Sequence, residues 1–299
     1  MDLVELVPAH AQGDVKLLRG KDQLRAALEP ARREGGSIGL VPTMGYLHEG
    51  HLSLLRAARA ECDVVVMSLF VNPTQFGPGE DLERYPRDEE RDLRLAEETG
   101  TDLVYVPPVE QVYPPGFSTY VAVEGLTEVL CGDPRSRGPE HFRGVTTVVA
   151  KLFNIVEPDR AFFGQKDAAQ STIIRRMVRD LNIPVQVVVC PIVREANGLA
   201  MSSRNAYLDA QQRESARVIY RSLVAVQEQF DRGERKVCAL IKAGSRVVAQ
   251  EPSVQLDYFE IVDPETLDPV DDLSRPALVA VAAFVGKARL IDNIVLRPA

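Results

Sequence analysis

The stretch Val41-Pro42-Thr43-Met44-Gly45-Tyr46-Leu47-His48-Glu49-Gly50-His51 constrains this chain more than any other. The apolar run Ile38 to Val41 enters it and reads as a buried parallel strand. An amphipathic run with Leu52, Leu55, Ala57 and Ala58 on or near one face leaves it and reads as a helix. Gly45 and Gly50 supply permissive backbone at the turn between them. If Gly50 and His51 open the helix, His48 and His51 approach one point above its N-terminus. Unpaired N–H groups and the positive end of the helix dipole favour anions at that point. Strand, glycine turn, paired imidazoles and helix start describe a phosphate cradle. The competing reading as a zinc site is thin, because zinc takes three or four ligands and the other histidines are only His10 and His141.

The same pattern recurs along the chain. Asp63 to Val71 is β-branched and reads as a second buried strand, so strand, helix and strand form one right-handed βαβ unit. The loop Asn72 to Gly79 follows its carboxyl end, the edge where open α/β sheets bind ligands. Asn72 and Gln75 are its candidate site amides, against a reading as self-satisfied turn residues. The charged helix Asp88 to Thr99 presents mainly a solvated face. Its Asp92 is a candidate magnesium carboxylate, against the commoner reading as a surface carboxylate. Leu103–Val106 reads as a third strand, Tyr120–Val123 as an edge strand and Glu124–Leu130 as a short helix. His141 to Gly144 opens a helix over Val145–Val156, with His141 structural or at the rim of the site. The strand Arg160–Gly164 runs into Gln165-Lys166-Asp167 and a helix over 167–181. This is a second strand-to-helix junction, with a lysine placed to meet a phosphate.

After the last strand of the sheet, Val185–Val189, the character shifts. Two helices, about 209–229 and 234–250, precede strand-like stretches at Leu256–Val262, Leu278–Phe284 and Ile291–Leu296, which indicates a separate α+β domain. The expected organisation is a leader over 1–14, a Rossmann-like domain over 15–192 and a C-terminal α+β lid domain over 193–299. The fold class is α/β, a parallel sheet flanked by helices with the smaller domain appended. Ser202, Ser203 and Arg204 fall near the junction, where hydroxyls donate to a triphosphate and a guanidinium forks onto its oxygens. A net charge of −8 argues against a broad nucleic-acid surface, so anionic substrates must be drawn by a few placed cations. No apolar run approaches ~20 residues, and the start of the chain has no signal-peptide pattern. The four cysteines are scattered without a Cys-x-x-Cys pair, which suits free thiols in a reducing cytoplasm.

Six motifs stand in one order: Val41-Pro-Thr-Met-Gly…His-Glu-Gly-His51, Phe70-Val-Asn-Pro-Thr-Gln-Phe76, Tyr85-Pro-Arg87, His141-Phe-Arg-Gly144, Phe163-Gly-Gln-Lys-Asp167 and Gly198-Leu-Ala-Met-Ser-Ser-Arg-Asn205. The first and last resemble the signatures of the nucleotidylyltransferase and class I aminoacyl-tRNA synthetase superfamily. The full set resembles the pantothenate synthetase (pantoate–β-alanine ligase) family from about residue 15 to 297. That resemblance implies condensation of (R)-pantoate with β-alanine, consuming ATP and releasing AMP and pyrophosphate through a pantoyl-adenylate. It implies His51, His48 and Lys166 as catalytic residues. ATP contacts follow at Met44, Gly45, His48, Gly50, His51, Gly164, Gln165, Lys166, Asp167, Val193, Met201, Ser202, Ser203 and Arg204. Gln75 and Gln170 would hold pantoate, and Gln75 and Asn72 β-alanine. Magnesium on the phosphates, a homodimer and a cytoplasmic location complete the expectation. Relatives often carry two glutamines where this chain has Ala169 and Gln170, and a glutamate where it has Gln165. The rival readings are a nucleotidylyltransferase that passes AMP to another small acceptor and a non-catalytic ATP-binding module. A transfer-RNA synthetase fits poorly, with no anticodon-binding domain and no basic face.

Overall fold

The computed structural model describes residues 15–298. The leader expected over 1–14, with His10, lies outside the described residues. The first part of the chain builds a six-stranded parallel sheet from β1 (Lys16–Leu18), β2 (Ile38–Thr43), β3 (Val64–Leu69), β4 (Leu103–Tyr105), β5 (Arg160–Gly164) and β6 (Gln186–Cys190). The strand order is β1-β4-β3-β2-β5-β6. From β2 the chain winds one way through β3 and β4. It then crosses to β5 and winds the other way, so the topological switch point lies between β2 and β5. A crevice at the carboxyl ends of those two strands is where such sheets take ligands.

Helices cover both faces. The strands alternate, so Leu40 and Val66 face α1 (Lys21–Glu34), α5 (Pro139–Val156) and α6 (Ala168–Asp180). Val41, Val65 and Met67 face α2 (Glu49–Glu61) and α3 (Glu89–Glu98). Burial on both sides explains why these strands read as continuous apolar runs. A one-turn helix, α4 (Val109–Val112), follows β4.

Two local expectations are corrected. Tyr120–Val123 is not a strand. It lies along α5, where the Thr147 hydroxyl accepts from Val121 N at 3.0 Å and the Thr146 hydroxyl donates to Val121 O at 2.6 Å. Threonine side chains thus take the backbone groups that a strand neighbour would have used. Glu124–Leu130 is not one helix but part of two 3-10 turns, Leu126–Glu128 and Leu130–Gly132, because Gly125 (φ 79°) and Leu130 (φ 53°) lie in the left-handed region.

Beyond β6, α7 (Ala210–Asp231) and α8 (Val237–Val248) pack on one face of an antiparallel sheet of β7 (Val254–Val262), β8 (Ala277–Val285) and β9 (Ala288–Leu296). Leu278 and Ala280 on its other face pack with Ala168, Ala169 and Ile173 of α6. The small sheet is therefore sandwiched between its own helices and the start of α6, which brings β9 against the Lys166 turn.

Helix α5 fixes the loop after β3 by close approach at Gly144. A Cβ there would stand 2.4 Å from the Thr74 carbonyl oxygen and 2.7 Å from Gln75 N. Gly144→Ala is expected to cost about 1–3 kcal/mol, as overpacking does. It should lower the urea midpoint, and an unchanged midpoint would show that helix and loop separate freely.

Candidate active site

The turn after β2 is held from below. Gly45 (φ 85°) and Tyr46 (φ 51°) are left-handed. A Cβ at Gly45 would meet Leu69 Cδ1 at 2.7 Å and Asp92 Oδ2 at 2.9 Å. Asp92 is only 1% exposed, and its two oxygens accept from Tyr46 N and Leu47 N, each at 2.7 Å. Burial pushes its carboxyl upward, while the two backbone bonds pull it down. This corrects the expectation of Asp92 as a magnesium ligand: both oxygens are spent on the turn, and the residue does not line the main cavity.

His48 is the N-cap of α2. Its Nδ1 accepts from Gly50 N at 3.1 Å, and its own N–H donates to His51 Nδ1 at 3.3 Å. The His-x-x-His spacing is thus a capping box, with imidazoles where hydroxyl and carboxylate usually stand. The rings lie 4.1 Å apart between centroids. Gly50 is required here, since a Cβ would lie 2.8 Å from His48 Cε1. A ring nitrogen that accepts carries no proton, so each neutral ring holds its proton on Nε2 and offers an N–H. Burial and the Lys166 ammonium lower His48 to about 4. Burial, His48 and Lys166 hold His51 well below the usual imidazole range.

Lys166 comes from the neighbouring junction, the 3-10 turn Gln165–Asp167 between β5 and α6. Its Nζ lies 3.4 Å from Asp167 Oδ2. The Gly164 position is open: a Cβ there would approach only Lys166 N, at 4.0 Å. Gln165 behaves differently: its amide turns to Asn293 Oδ1 at 3.0 Å and its side chain lies away from the cavity. Val193 and Met201 face each other across a hairpin, with Met201 N donating to Val193 O at 3.0 Å. Ser202 caps the following 3-10 turn, accepting from Arg204 N at 3.2 Å. The Ser203 hydroxyl donates to Tyr46 O at 3.2 Å, which ties this loop to the histidine turn. Arg204 forks onto Asp81 at 2.9 and 3.0 Å. Burial would raise the Asp81 carboxyl, and the fork more than offsets it, leaving it lowered.

These segments surround one cavity of about 220 Å³, lined by Met44, His48, Gly50, His51, Gln75, Gly164, Lys166, Asp167, Gln170, Val193, Met201, Ser202, Ser203 and Arg204. Phe70, Val145, Val149, Leu152 and Phe163 supply an apolar wall. A second cavity of about 90 Å³ shares Lys166, Asp167, Gln170, Ser202 and Arg204 with it. Gln75 Oε1 accepts from Asn72 Nδ2 at 3.1 Å. Gln170 has no hydrogen-bond partner for its amide among the described residues and is free to meet a ligand. Asn72 is the opposite case. Its Nδ2 also donates to Gly144 O at 3.1 Å, and its Oδ1 accepts from Thr74 and Tyr113 at 2.9 and 2.7 Å. At 1% exposure it props the loop from a place on the cavity wall, so a contact with an incoming amine would share its amide with these bonds. Among the described residues Asp167 is the one carboxylate lining the main cavity, and no group of three or more metal-binding side chains exists among them.

Three wall residues receive no chemical role from the sequence. Tyr85 stands in a visible motif, Tyr85-Pro86-Arg87, and lies with Arg204 5.7 Å from its ring centroid. Arg137 sits in a glycine- and proline-rich loop whose spacing gives no signal; it pairs with Glu80 and donates to Gln75 O at 3.2 Å. His141 Nδ1 donates to Gln75 O at 2.9 Å, and its Nε2 faces Arg137 Nη1 at 3.1 Å. Burial and the Arg137 charge lower this ring to about 3.

The lowered histidines have a consequence for stability. An unfolded imidazole binds a proton below about pH 6.5, whereas folded His48, His51 and His141 refuse it until the pH is far lower. Their stabilising contribution is therefore complete above the unfolded value and is lost as pH falls through the folded values. The melting temperature should drop steadily as pH is taken from 6.5 to about 4. His141→Gln should flatten that slope, and a level wild-type profile would contradict the neutral rings.

The family described as pantoate-beta-alanine ligase matches residues 16–295 of the chain. A pantothenate synthetase from Moorella thermoacetica is 55% identical over 94% of this chain and 99% of its own length. One from Acidobacterium capsulatum is 60% identical over 87% of this chain and 86% of its own. The crystal structure of pantothenate synthetase from Thermus thermophilus superposes with a TM-score of 0.90 at 49% identity, covering 95% of this chain and all (100%) of that one. A pantoate-beta-alanine ligase from Francisella tularensis, complexed with beta-gamma ATP and beta-alanine, gives 0.77 at 30% identity over 94% and 97%. With two histidine donors and a lysine converging at the β2/β5 switch point of that shared fold, this chain belongs to the pantoate–β-alanine ligase family.

Proposed function

We propose that the cavity at the β2/β5 switch point carries out the ATP-dependent joining of (R)-pantoate to β-alanine, with its residues in the following roles. The observation that carries the reading is the convergence on one cavity of two neutral imidazoles, each with its proton on Nε2, and the Lys166 ammonium. Fixed donors of this kind stabilise charge that develops on non-bridging phosphate oxygens. A magnesium ion bound with ATP would neutralise charge on the triphosphate, and Asp167, the carboxylate among the described residues that lines the cavity, would be placed to help hold it.

In the first step a pantoate carboxylate oxygen attacks the α-phosphorus. The bond to the bridging oxygen breaks, and pyrophosphate departs with its electron pair toward Ser202 and Arg204. His48, His51 and Lys166 donate to the oxygens that gain charge. Each donor is worth roughly 3 kcal/mol of barrier, or about a hundredfold in rate. Gln75 and Gln170 hold the pantoate hydroxyls and carboxylate, and the Phe70, Val149, Leu152 and Phe163 wall takes its two methyl groups. In the second step the free amine of β-alanine attacks the acyl carbon, the acyl–phosphate bond breaks, AMP leaves and the nitrogen gives up a proton. A nucleotidylyltransferase that stops at AMP transfer is not favoured by the relatives.

The intermediate is a mixed anhydride, so the cavity must exclude water. Three segments form a collar: Arg137 pairs with Glu80, Arg204 with Asp81, and Tyr207 donates to Asp81 Oδ2 and Arg84 O at 3.3 and 3.1 Å. The loops 72–84 and 132–140 and the C-terminal unit from residue 193 act together as the lid in this reading. A homodimer and a cytoplasmic location belong to the same proposal. No helix among the described residues is long and apolar enough to cross a membrane.

The reading is tested by omitting β-alanine and identifying the bound intermediate by mass. A pantoyl-AMP adduct is expected, and its absence with saturating ATP and pantoate would refute the two-step scheme. His51→Ala should lower kcat about a hundredfold or more and move KM for pantoate far less. Equal effects on both constants would contradict a role confined to the transition state.

A further inference from the structure

Asn293, on β9 of the C-terminal sheet, is 3% exposed. Its Nδ2 donates to two successive carbonyls, Gln165 O and Lys166 O, each at 3.0 Å. Its Oδ1 accepts from Gln165 Nε2 at 3.0 Å, which fixes the amide the right way round. Those two carbonyls belong to the peptide planes on either side of the Lys166 Cα. Pinning both planes sets φ and ψ of Lys166, and with them the direction in which its side chain leaves the backbone.

The preceding residue holds the other phosphate-directed segment. Asp292, also 3% exposed, receives Arg194 through two bonds of 2.5 and 2.9 Å. Arg194 donates to Gly198 O at 3.1 Å and lies 4.0 Å over the Tyr220 ring, inside the hairpin that carries Val193 and Met201. The pleat sends Asp292 and Asn293 to opposite faces of β9, so one strand grips a different loop on each side. Asp292 pairs in register with Val281, whose side chain lies in the core under α7; Asn293 pairs with Ala280, which faces α6.

We propose that Asn293 is a positioning residue for adenylate formation: it aims Lys166 at the reacting phosphate, while Asp292 holds the Met201–Arg204 loop at a fixed distance from it. The inference rests on the reading of Lys166 as a phosphate ligand. It makes the C-terminal sheet part of the first chemical step, although neither side chain is asked to touch a reacting atom.

The test is a double-mutant cycle between positions 293 and 166, read by pantoate-dependent exchange of pyrophosphate into ATP. Asn293→Ala is expected to slow exchange about ten- to a hundredfold, the scale of a misplaced catalytic group, with KM for pantoate little changed. Asn293→Asp, which keeps the shape but faces two carbonyls with an acceptor, should lose at least as much. In a Lys166→Ala background either change should have almost no further effect. Reaction of supplied pantoyl-adenylate with β-alanine should stay near the wild-type rate. Loss of the same factor in both backgrounds, or unchanged exchange in Asn293→Ala, overturns the inference and leaves the role of Lys166 standing. Wild-type exchange in Lys166→Ala alone overturns that role and the inference with it. Should Asn293→Ala fail to fold, Gln165→Ala enters the same cycle. It frees the Asn293 amide to rotate, and its loss of exchange must likewise vanish without Lys166.

Discussion

Two backbone-to-imidazole hydrogen bonds, Gly50 N to His48 Nδ1 and His48 N to His51 Nδ1, are the interaction on which the rest of the site depends. They cap α2, and in doing so they choose the tautomer of both rings. A serine cap would satisfy the same N–H groups and leave nothing to donate outward. An imidazole satisfies them with one nitrogen and keeps the other as a donor. The cap therefore couples helix stability to site chemistry: protonation at Nδ1 would break both together. Gly50, which leaves room for the His48 ring, and Asp92, which carries the turn on two backbone bonds, both support this cap.

Neutral donors also answer an electrostatic problem. Lys166 lines the same cavity, and its charge already disfavours protonation of both rings. Two further cations there would repel it and would carry a desolvation cost when the site is empty. Neutral Nε2–H groups avoid that cost and keep their orientation before a phosphate arrives. This is preorganisation in the strict sense, since dipoles are fixed by bonds made elsewhere in the fold.

Much of this arrangement is legible in the chain, and what is not legible has identifiable causes. The parallel sheet is announced by unbroken apolar runs such as Val64–Leu69, because burial on both faces removes alternation. The two strand-to-helix junctions follow from Gly45, Gly50 and Gly164 beside polar residues. The His48/His51 spacing is that of a capping box, yet the hydrogen bonds that set the tautomers appear only once the turn has its dihedrals. Asp92 misleads because a polar residue near a binding edge looks the same in sequence whether its partners are ligand atoms or backbone. Here Asp92 bonds to Tyr46 and Leu47, while Asn72, which does line the cavity, is also held by Gly144 O, distant in sequence. Tyr120–Val123 has strand-like residues, but threonines on α5 compete for its backbone. Asn293 carries no local signal, since its partners lie more than a hundred residues away.

The cations that surround the cavity are held by acids in this structure: Arg204 by Asp81, Arg137 by Glu80, Lys166 by Asp167. Each pair keeps a buried or half-buried charge compensated, which an isolated cation would lack. Under the proposed reaction a triphosphate that engages Arg204 or Lys166 competes with a carboxylate already in place, so its net gain is the difference between two charge-assisted interactions. The imidazoles face no such competitor at Nε2 in the hydrogen bonds of the described residues. Attraction at a distance therefore falls to the charged groups. The two neutral rings add donors whose bonds strengthen as phosphate oxygens gain charge, beside Lys166, which under the proposed reaction serves both binding and the chemical step. Rate enhancement is then shared between the helix cap and the Lys166 turn, which meet in one cavity.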